Sequence, residues 1–184
     1  MNRTILRFLI RLAFYPSHWV NRLMCGLGLW HQADWVDEYV AFGSLPTRRD
    51  LARLRDEGVR AVINMCEEFG GDAVALTALD LEQLHLPTLD YHCPSDANLR
   101  EGLEFLRKQI DAGGKVFVHC KAGRGRSAIL VLCYVMTRDR ISAGEALAMI
   151  RRARPRLARG IERHRAVREI ERACTSTPEA KPRQ

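Results

Sequence analysis

From about residue 35 onward, short β-branched apolar runs alternate with longer stretches whose apolar residues recur every three or four positions. The runs EYVAFG, VRAVINM, LHLPTL and KVFVH predict strands. Between the first two lies TRRDLARLRDEG, a helix that Pro46 and Thr47 open and Gly58 stops. DAVALTALDLEQL reads as a helix running into the third strand. Leu99, Leu103, Leu106 and Ile110 share one face of a helix that Ser95 or Asp96 can cap and Gly113-Gly114 ends. A further helix runs from about Arg126 through SAILVLCYVMTRD. Ser142 and Glu145 form a capping box for the next helix, which Pro155 ends. A last helix covers roughly 161–173, and the tail TSTPEAKPRQ has the composition of a disordered segment. This alternation implies one α/β domain over 34–174, with a central, mostly parallel sheet flanked by helices.

Residues 1–33 form a separate, basic segment. Arg3, Arg7 and Arg11 are spaced four apart and fall on one side of a helix, while Ile5, Leu6, Phe8, Leu9, Leu12 and Ala13 cover most of the rest. After Pro16 comes a second apolar stretch with Trp19, Val20, Leu23, Met24, Leu27 and Trp30. Three readings fit: a helix lying in a membrane interface, an organelle-targeting peptide, or an extra helix packed on the domain.

Charge sharpens this picture. Residues 1–24 carry four arginines and no acid, residues 25–137 carry a net −4, and residues 138–184 a net +7. Basic ends around an acidic middle suit an anionic lipid surface reached by peripheral association. No zinc-finger, helix-turn-helix or aromatic-stacking pattern speaks for nucleic acid. The late arginines Arg151, Arg152, Arg154, Arg156 and Arg159 read as a solvated helix end, or as a basic surface working with the N-terminal helix. Six cysteines without a CxxC pair or metal-ligand spacing indicate a reducing compartment and no metal. No run of 18 uninterrupted apolar residues suggests a transmembrane helix, and Arg7 and Arg11 interrupt any secretory signal.

The chemistry concentrates in VHCKAGRGRS, residues 118–127. Cys120 follows a buried-type strand, where α/β folds bind their ligands. Gly123 and Gly125 let several amides converge on one anion at a helix N-terminus. Arg126 adds two parallel hydrogen bonds to phosphate oxygens. The same positive field lowers the pKa of a thiol, so the loop both holds a phosphate and readies a thiolate beneath it. Attack on phosphorus through a cysteinyl-phosphate follows. Ser127 can donate to the departing sulfur, and His119 is placed to brace the loop. Lys121 and Arg124 make the loop more basic than one phosphate requires, which favours substrates with extra negative groups. Ala122 completes the loop. A nucleotide-binding loop of the GK[ST] type is excluded, because no such triplet follows the glycines.

His119-Cys120, five intervening residues and Arg126-Ser127 resemble the signature of the cysteine-dependent protein tyrosine phosphatase superfamily. The short chain resembles its dual-specificity branch over roughly 35–172. NMCEEFGG, EQLHLPTLDYHCPS and WVDEYVAFGSLPTRRDL resemble the lipid-directed mitochondrial group of that branch, which acts on phosphatidylglycerophosphate. The resemblance implies the cysteine-phosphatase fold, a phosphomonoester phosphatase without cofactor or metal, and an anionic phospholipid substrate, with phosphoproteins as the alternative and a binding-only pseudophosphatase as the remaining one. It places the protein peripherally on the inner (cytoplasmic) membrane or in mitochondria. It also implies a general-acid aspartate about 30 residues before the cysteine. Asp90 follows a strand and is the preferred candidate; Asp96 is the other. Glu67 and Glu68 resemble a paired acid of that group and border the site or a solvated loop. Cys66, at another strand's carboxyl end, is a candidate redox partner of Cys120, with Cys93 its rival.

Overall fold

The computed structural model describes Pro16 and residues 18–176. The basic repeat around Arg3, Arg7 and Arg11, and residues 177–184 of the expected tail, lie outside the described residues. Five strands form one sheet in the order β1-β2-β5-β3-β4: β1 (Ala33–Trp35), β2 (Val40–Gly43), β3 (Val59–Cys66), β4 (Glu82–Thr88) and β5 (Lys115–His119). All neighbouring pairs are parallel except β1 with β2. The sheet is therefore mostly parallel, as the alternation of strands and helices requires.

Alternation along the strands divides the core into two layers. Val116 and Val118 of β5 join Ile63 and Met65 of β3 on one face, under α4 (Asp96–Asp111), α5 (Arg126–Asp139), α6 (Ala143–Ala153) and α7 (Arg165–Ser176). Phe117 and Val62 point to the other face, where Leu51 and Leu54 of α2 (Arg48–Asp56) and Leu76 of α3 (Ala73–Ala78) cover them. Helix α5 is buried from Arg126 through Met136, so it runs through the middle of the helical layer. Gly102 allows that: a side chain there would drive into Leu130 of α5, 2.9 Å away, and push α4 off.

Local signals set most boundaries. Thr47 caps α2 and Ser142 caps α6, each in a reciprocal capping box with Asp50 or Glu145. Ser95 caps α4, which leaves Asp96 as a first-turn residue and not the cap.

Four boundaries differ from the pattern. The helix expected over 72–84 ends at Ala78, because Asp80 adopts a left-handed conformation and turns the chain into β4. β4 then starts at Glu82, two residues earlier than LHLPTL suggests. The last helix splits into a single tight turn (Ile161–Arg163) and α7, and α7 runs into the expected tail as far as Ser176. β1, with only three residues and no alternation to read, was not foreseen.

The described part of the N-terminal segment begins with α1, residues 18–26. It meets the domain through polar and cationic contacts. Arg22 Nη1 donates to Asp50 Oδ2 (2.7 Å), and the Arg156 guanidinium sits 4.4 Å over the Trp30 ring. Trp19, Val20, Leu23, Leu27 and Leu29 remain exposed. Among the described residues, no helix is long and apolar enough to cross a membrane.

Candidate active site

β5, β3 and β4 are adjacent, so the loops beyond their carboxyl ends open onto one place. The loop after β5 carries Cys120. The loop after β3 carries Glu68. The loop after β4 carries Asp90. A cleft of about 420 Å³ lies over them, lined by Cys120, Arg126, Asp90, Tyr91, Arg159 and His164 among others.

The loop from Cys120 to Gly125 joins β5 to α5. Gly125 stands at the N-cap of α5 without a capping side chain, and the first turn carries no acid. The first N–H groups of α5 and their positive dipole end are thus left to an incoming anion. Gly123 has φ +67°, and a β-carbon there would lie 2.4 Å from the backbone of Gly43. Only glycine fits, because the loop turns back against the end of β2.

Cys120 is buried beneath the loop. Its Sγ lies 3.3 Å from Ser127 Oγ. Burial alone would raise the thiol's pKa, but Arg126, the hydroxyl and amide of Ser127 and the Gly123 amide more than offset it. The thiol ionises below its ordinary value. His119, fully buried, is pushed down to about 3 and stays neutral, stacked 5.8 Å from the Phe117 ring. It braces the strand end and carries no positive charge near neutral pH.

Arg126 is held on three sides. Nη1 donates to Glu68 Oε2 (2.8 Å) and to the Thr88 carbonyl (2.7 Å), and Nη2 donates to Asp90 Oδ1 (2.9 Å). Glu68 also accepts from the Asp90 amide (2.7 Å). Glu68 therefore ties the guanidinium to the aspartate loop, and the solvated-loop reading of Glu68 gives way.

Lys121 is buried and pairs with Asp90 Oδ2, its ammonium 5.4 Å from the Tyr91 ring. It lines the cleft together with Arg124. Its place is under the aspartate loop, because Asp90 and Tyr91 close over it. Arg124 stays exposed at the rim, with Nε on the Arg156 carbonyl (2.8 Å). Asp96 faces α7, beside Arg165 and Glu169, and is not among the residues lining the cleft.

Arg159, visible in the sequence only as one of the late arginines, and His164, which carried no signal there, also reach the cleft. Arg159 and His164 flank the turn at Ile161 and line the cleft wall with Ala158. Of the late arginines, Arg154 is buried and not part of a solvated helix end. It donates to Asp34 Oδ2 (2.6 Å) and to the Ala122 carbonyl (3.0 Å).

Cys66 is buried at the end of β3, within electrostatic range of Cys120 and Arg126; burial pushes its thiol well up. Cys93 is raised to about 11, also by burial, and lies on the side of Cys133. Among the described residues, no three His, Cys, Asp or Glu side chains gather in a way that could hold a metal.

This arrangement can seat a phosphate dianion on the loop amides and Arg126, directly above a sulfur whose ionisation the site favours. Comparison with known proteins agrees. Residues 40–173 match the dual specificity phosphatase catalytic domain. Phosphatidylglycerophosphate phosphatase PTPMT2 of Arabidopsis thaliana is 33% identical, over 88% of this chain and 73% of that protein. Phosphatidylglycerophosphatase and protein-tyrosine phosphatase 1 of Rattus norvegicus is 36% identical, over 82% of this chain and 83% of its own. Among solved structures, PTPMT1 in complex with PI(5)P superposes with a TM-score of 0.72 at 32% identity, covering 79% of this chain and 97% of that one.

Proposed function

The chain belongs to the dual specificity phosphatase family, and from that premise we propose that it dephosphorylates an anionic phospholipid of the phosphatidylglycerophosphate type. In this reading Cys120 attacks phosphorus as the thiolate. The bond from phosphorus to the leaving oxygen breaks as Asp90 delivers a proton to that oxygen. Asp90, now a carboxylate, takes a proton from water as the water attacks the cysteinyl-phosphate. Phosphate departs and the thiolate returns. Arg126 and the loop amides hold the phosphoryl oxygens throughout, with Glu68 fixing the guanidinium. Ser127 supports the sulfur as it leaves.

One observation carries the lipid reading. The relatives that span most of the chain are named for phosphatidylglycerophosphate, and one solved relative holds a phosphoinositide. Exposed Arg159, His164 and Arg124 around the cleft suit a substrate with a second negative group. The exposed apolar residues of 19–29 suit a lipid surface beside it, and residues 1–33 then serve as a peripheral membrane anchor ahead of the 34–174 domain.

The test uses one preparation and four substrates: phosphatidylglycerophosphate in vesicles, a phosphoinositide, a phosphotyrosine peptide and nitrophenyl phosphate. Vesicular phosphatidylglycerophosphate should show the highest kcat/KM. Replacing Leu23 and Leu27 by Ala should lower that value and leave nitrophenyl phosphate unchanged. A preference for the peptide would reverse the substrate assignment, and equal vesicle activity in the double variant would remove the anchor.

Cys66 completes the proposal as the redox partner of Cys120. Hydrogen peroxide would oxidise the Cys120 thiolate to a sulfenic acid; the Cys66 thiol would then form a disulfide with it and release water. Its electrostatic contact with Cys120 favours it over Cys93. Peptide mapping after mild peroxide should recover a Cys66–Cys120 pair. Sulfinylated, unpaired Cys120 would count against it.

A further inference from the structure

Three contacts from outside the phosphate loop hold its carbonyls. The Leu45 amide donates to the Lys121 carbonyl (3.2 Å), and the Ala158 amide to the Arg124 carbonyl (2.8 Å). Arg154 Nη2 donates to the Ala122 carbonyl (3.0 Å). A trans peptide is planar, with its C=O and N–H pointing in opposite directions. A carbonyl drawn outward therefore aims the next residue's N–H inward. The three contacts aim the amides of Ala122, Gly123 and Gly125 into the loop, where an anion would sit.

The middle contact differs from the other two. Leu45 and Ala158 donate through main chain, which any sequence supplies. The Ala122 carbonyl depends on one side chain. It belongs to the same peptide as the Gly123 N–H, and that N–H bonds to the Cys120 sulfur. Gly123 is also the loop residue with positive φ, and without a β-carbon the preceding peptide turns over at little cost. An external hold matters most at this peptide.

Arg154 is built for that hold. It is 7% exposed and lies at the end of α6. Nη1 donates to Asp34 Oδ2 (2.6 Å) and to the His31 carbonyl (3.1 Å). Its guanidinium lies 5.9 Å from the Phe42 ring. Asp34 is nearly as buried and accepts no closer cation than Arg154 among the described residues. A planar fork spans acceptors on both sides at once, which a lysine ammonium does less well.

We propose that Arg154 is a positioning residue of the phosphate loop: anchored by Asp34 and the His31 carbonyl, it turns the Ala122–Gly123 peptide so that the Gly123 N–H faces Cys120 and the bound phosphoryl group. The proposal rests on the reading of Cys120 as nucleophile for its catalytic consequence, though not for its effect on the thiol. It gives the segment just before the domain a direct line to the site, through His31 and Asp34.

The thiol itself reports the outcome. The groups acting on Cys120 are Arg126 and Ser127 from α5, the Gly123 amide and Cys66 from β3, while Glu68 and Asp90, from the loops after β3 and β4, pair with Arg126. Replacing Arg154 or Asp34 changes none of them directly. The full-length variants Arg154→Met, Arg154→Lys and Asp34→Ala would be compared with wild type. The pH dependence of Cys120 alkylation by iodoacetamide would be followed by peptide mass spectrometry, with circular dichroism and melting to establish folding. Asp34→Ala is the decisive variant, because the two explanations predict opposite signs. Losing a nearby negative charge would by itself lower the thiol pKa, whereas losing the anchor of Arg154 raises it. We expect a rise of about one in Asp34→Ala and at least as much in Arg154→Met. Nitrophenyl phosphate kcat should fall about 10- to 100-fold in Arg154→Met, the range of one lost oxyanion donor or somewhat less. Arg154→Lys should recover part of both. A thiol pKa that is unchanged or lower in folded Asp34→Ala overturns the proposal. Absence of phosphatase activity in wild type would sink the functional reading and leave the alkylation result to judge Arg154 alone.

Discussion

Replacing Cys120 by serine is expected to abolish turnover while leaving oxyanion binding intact or tighter. The sulfur matters because the site favours its thiolate. Arg126, Ser127 and the Gly123 amide hold its pKa below the ordinary thiol value despite full burial. A serine hydroxyl in the same field stays protonated, and no general base adjoins it: His119 is neutral, yet it is committed to the strand end. Loss of the nucleophile should therefore cost at least about 10⁴-fold in kcat, the scale seen when a covalent catalyst loses its attacking atom. Binding rests on different groups. The loop amides and Arg126 are untouched, and a neutral hydroxyl replaces a thiolate that repels the phosphate from below. Tungstate or inorganic phosphate should bind Cys120→Ser with equal or lower Kd. Turnover within 100-fold of wild type would refute attack by sulfur, and lost tungstate binding in a folded variant would refute the division between attack and binding. The ionisation sets a pH signature too. In wild type, kcat/KM should fall as pH drops through the depressed thiol pKa, because the nucleophile is protonated below it.

The parts of the site that could be read from the sequence are those where one stretch of chain carries its own context. Cys120, the two glycines, Arg126 and Ser127 lie within eight residues. The strand before them and the helix after them are strongly patterned, so strand-loop-helix geometry followed from local preference. The helix start at Thr47 and the capping box at Ser142 were legible for the same reason. What escaped was long-range. Arg154 has the composition of a cationic helix end, where such residues are ordinarily solvated. Its burial depends on Asp34, 120 positions earlier, in a three-residue edge strand that has no periodicity to detect. The charge of Lys121 is visible in the sequence and its partner is not: Asp90 arrives from another strand end and takes both Lys121 and Arg126. Arg159 and His164 reach the cleft only through the turn at Ile161, which splits what periodicity presents as one helix. Sequence patterns report the neighbours of a residue along the chain, whereas electrostatics at the site is set by neighbours across it.

That distinction bears most on Asp90, whose removal is expected to slow turnover in proportion to the basicity of the leaving group. Asp90→Ala should reduce kcat about 10²- to 10⁴-fold for an alkyl phosphate such as the glycerol phosphomonoester of phosphatidylglycerophosphate, the usual worth of a positioned proton donor. Nitrophenyl phosphate should lose much less, because nitrophenolate departs without a proton. The contrast between the two substrates isolates proton delivery from general damage to the site. Damage is a real rival here, because Asp90 also bonds to Arg126 Nη2 and pairs with Lys121. Asp90→Asn addresses it. The amide keeps an acceptor for Arg126 and has no proton to give, so it should share the leaving-group dependence of Asp90→Ala. If loss of the hydrogen bond to Arg126 were the cause, Asp90→Asn would recover activity on both substrates, and Glu68, which anchors the same arginine, would hold phosphate affinity close to wild type in either variant. Asp96→Ala provides the opposing control. Its carboxylate lies beside Arg165 and Glu169 on α7, so the leaving-group dependence should stay as in wild type. A steep dependence in Asp96→Ala, with a flat one in Asp90→Ala, would transfer the acid to Asp96 and require the aspartate loop to rearrange around bound substrate.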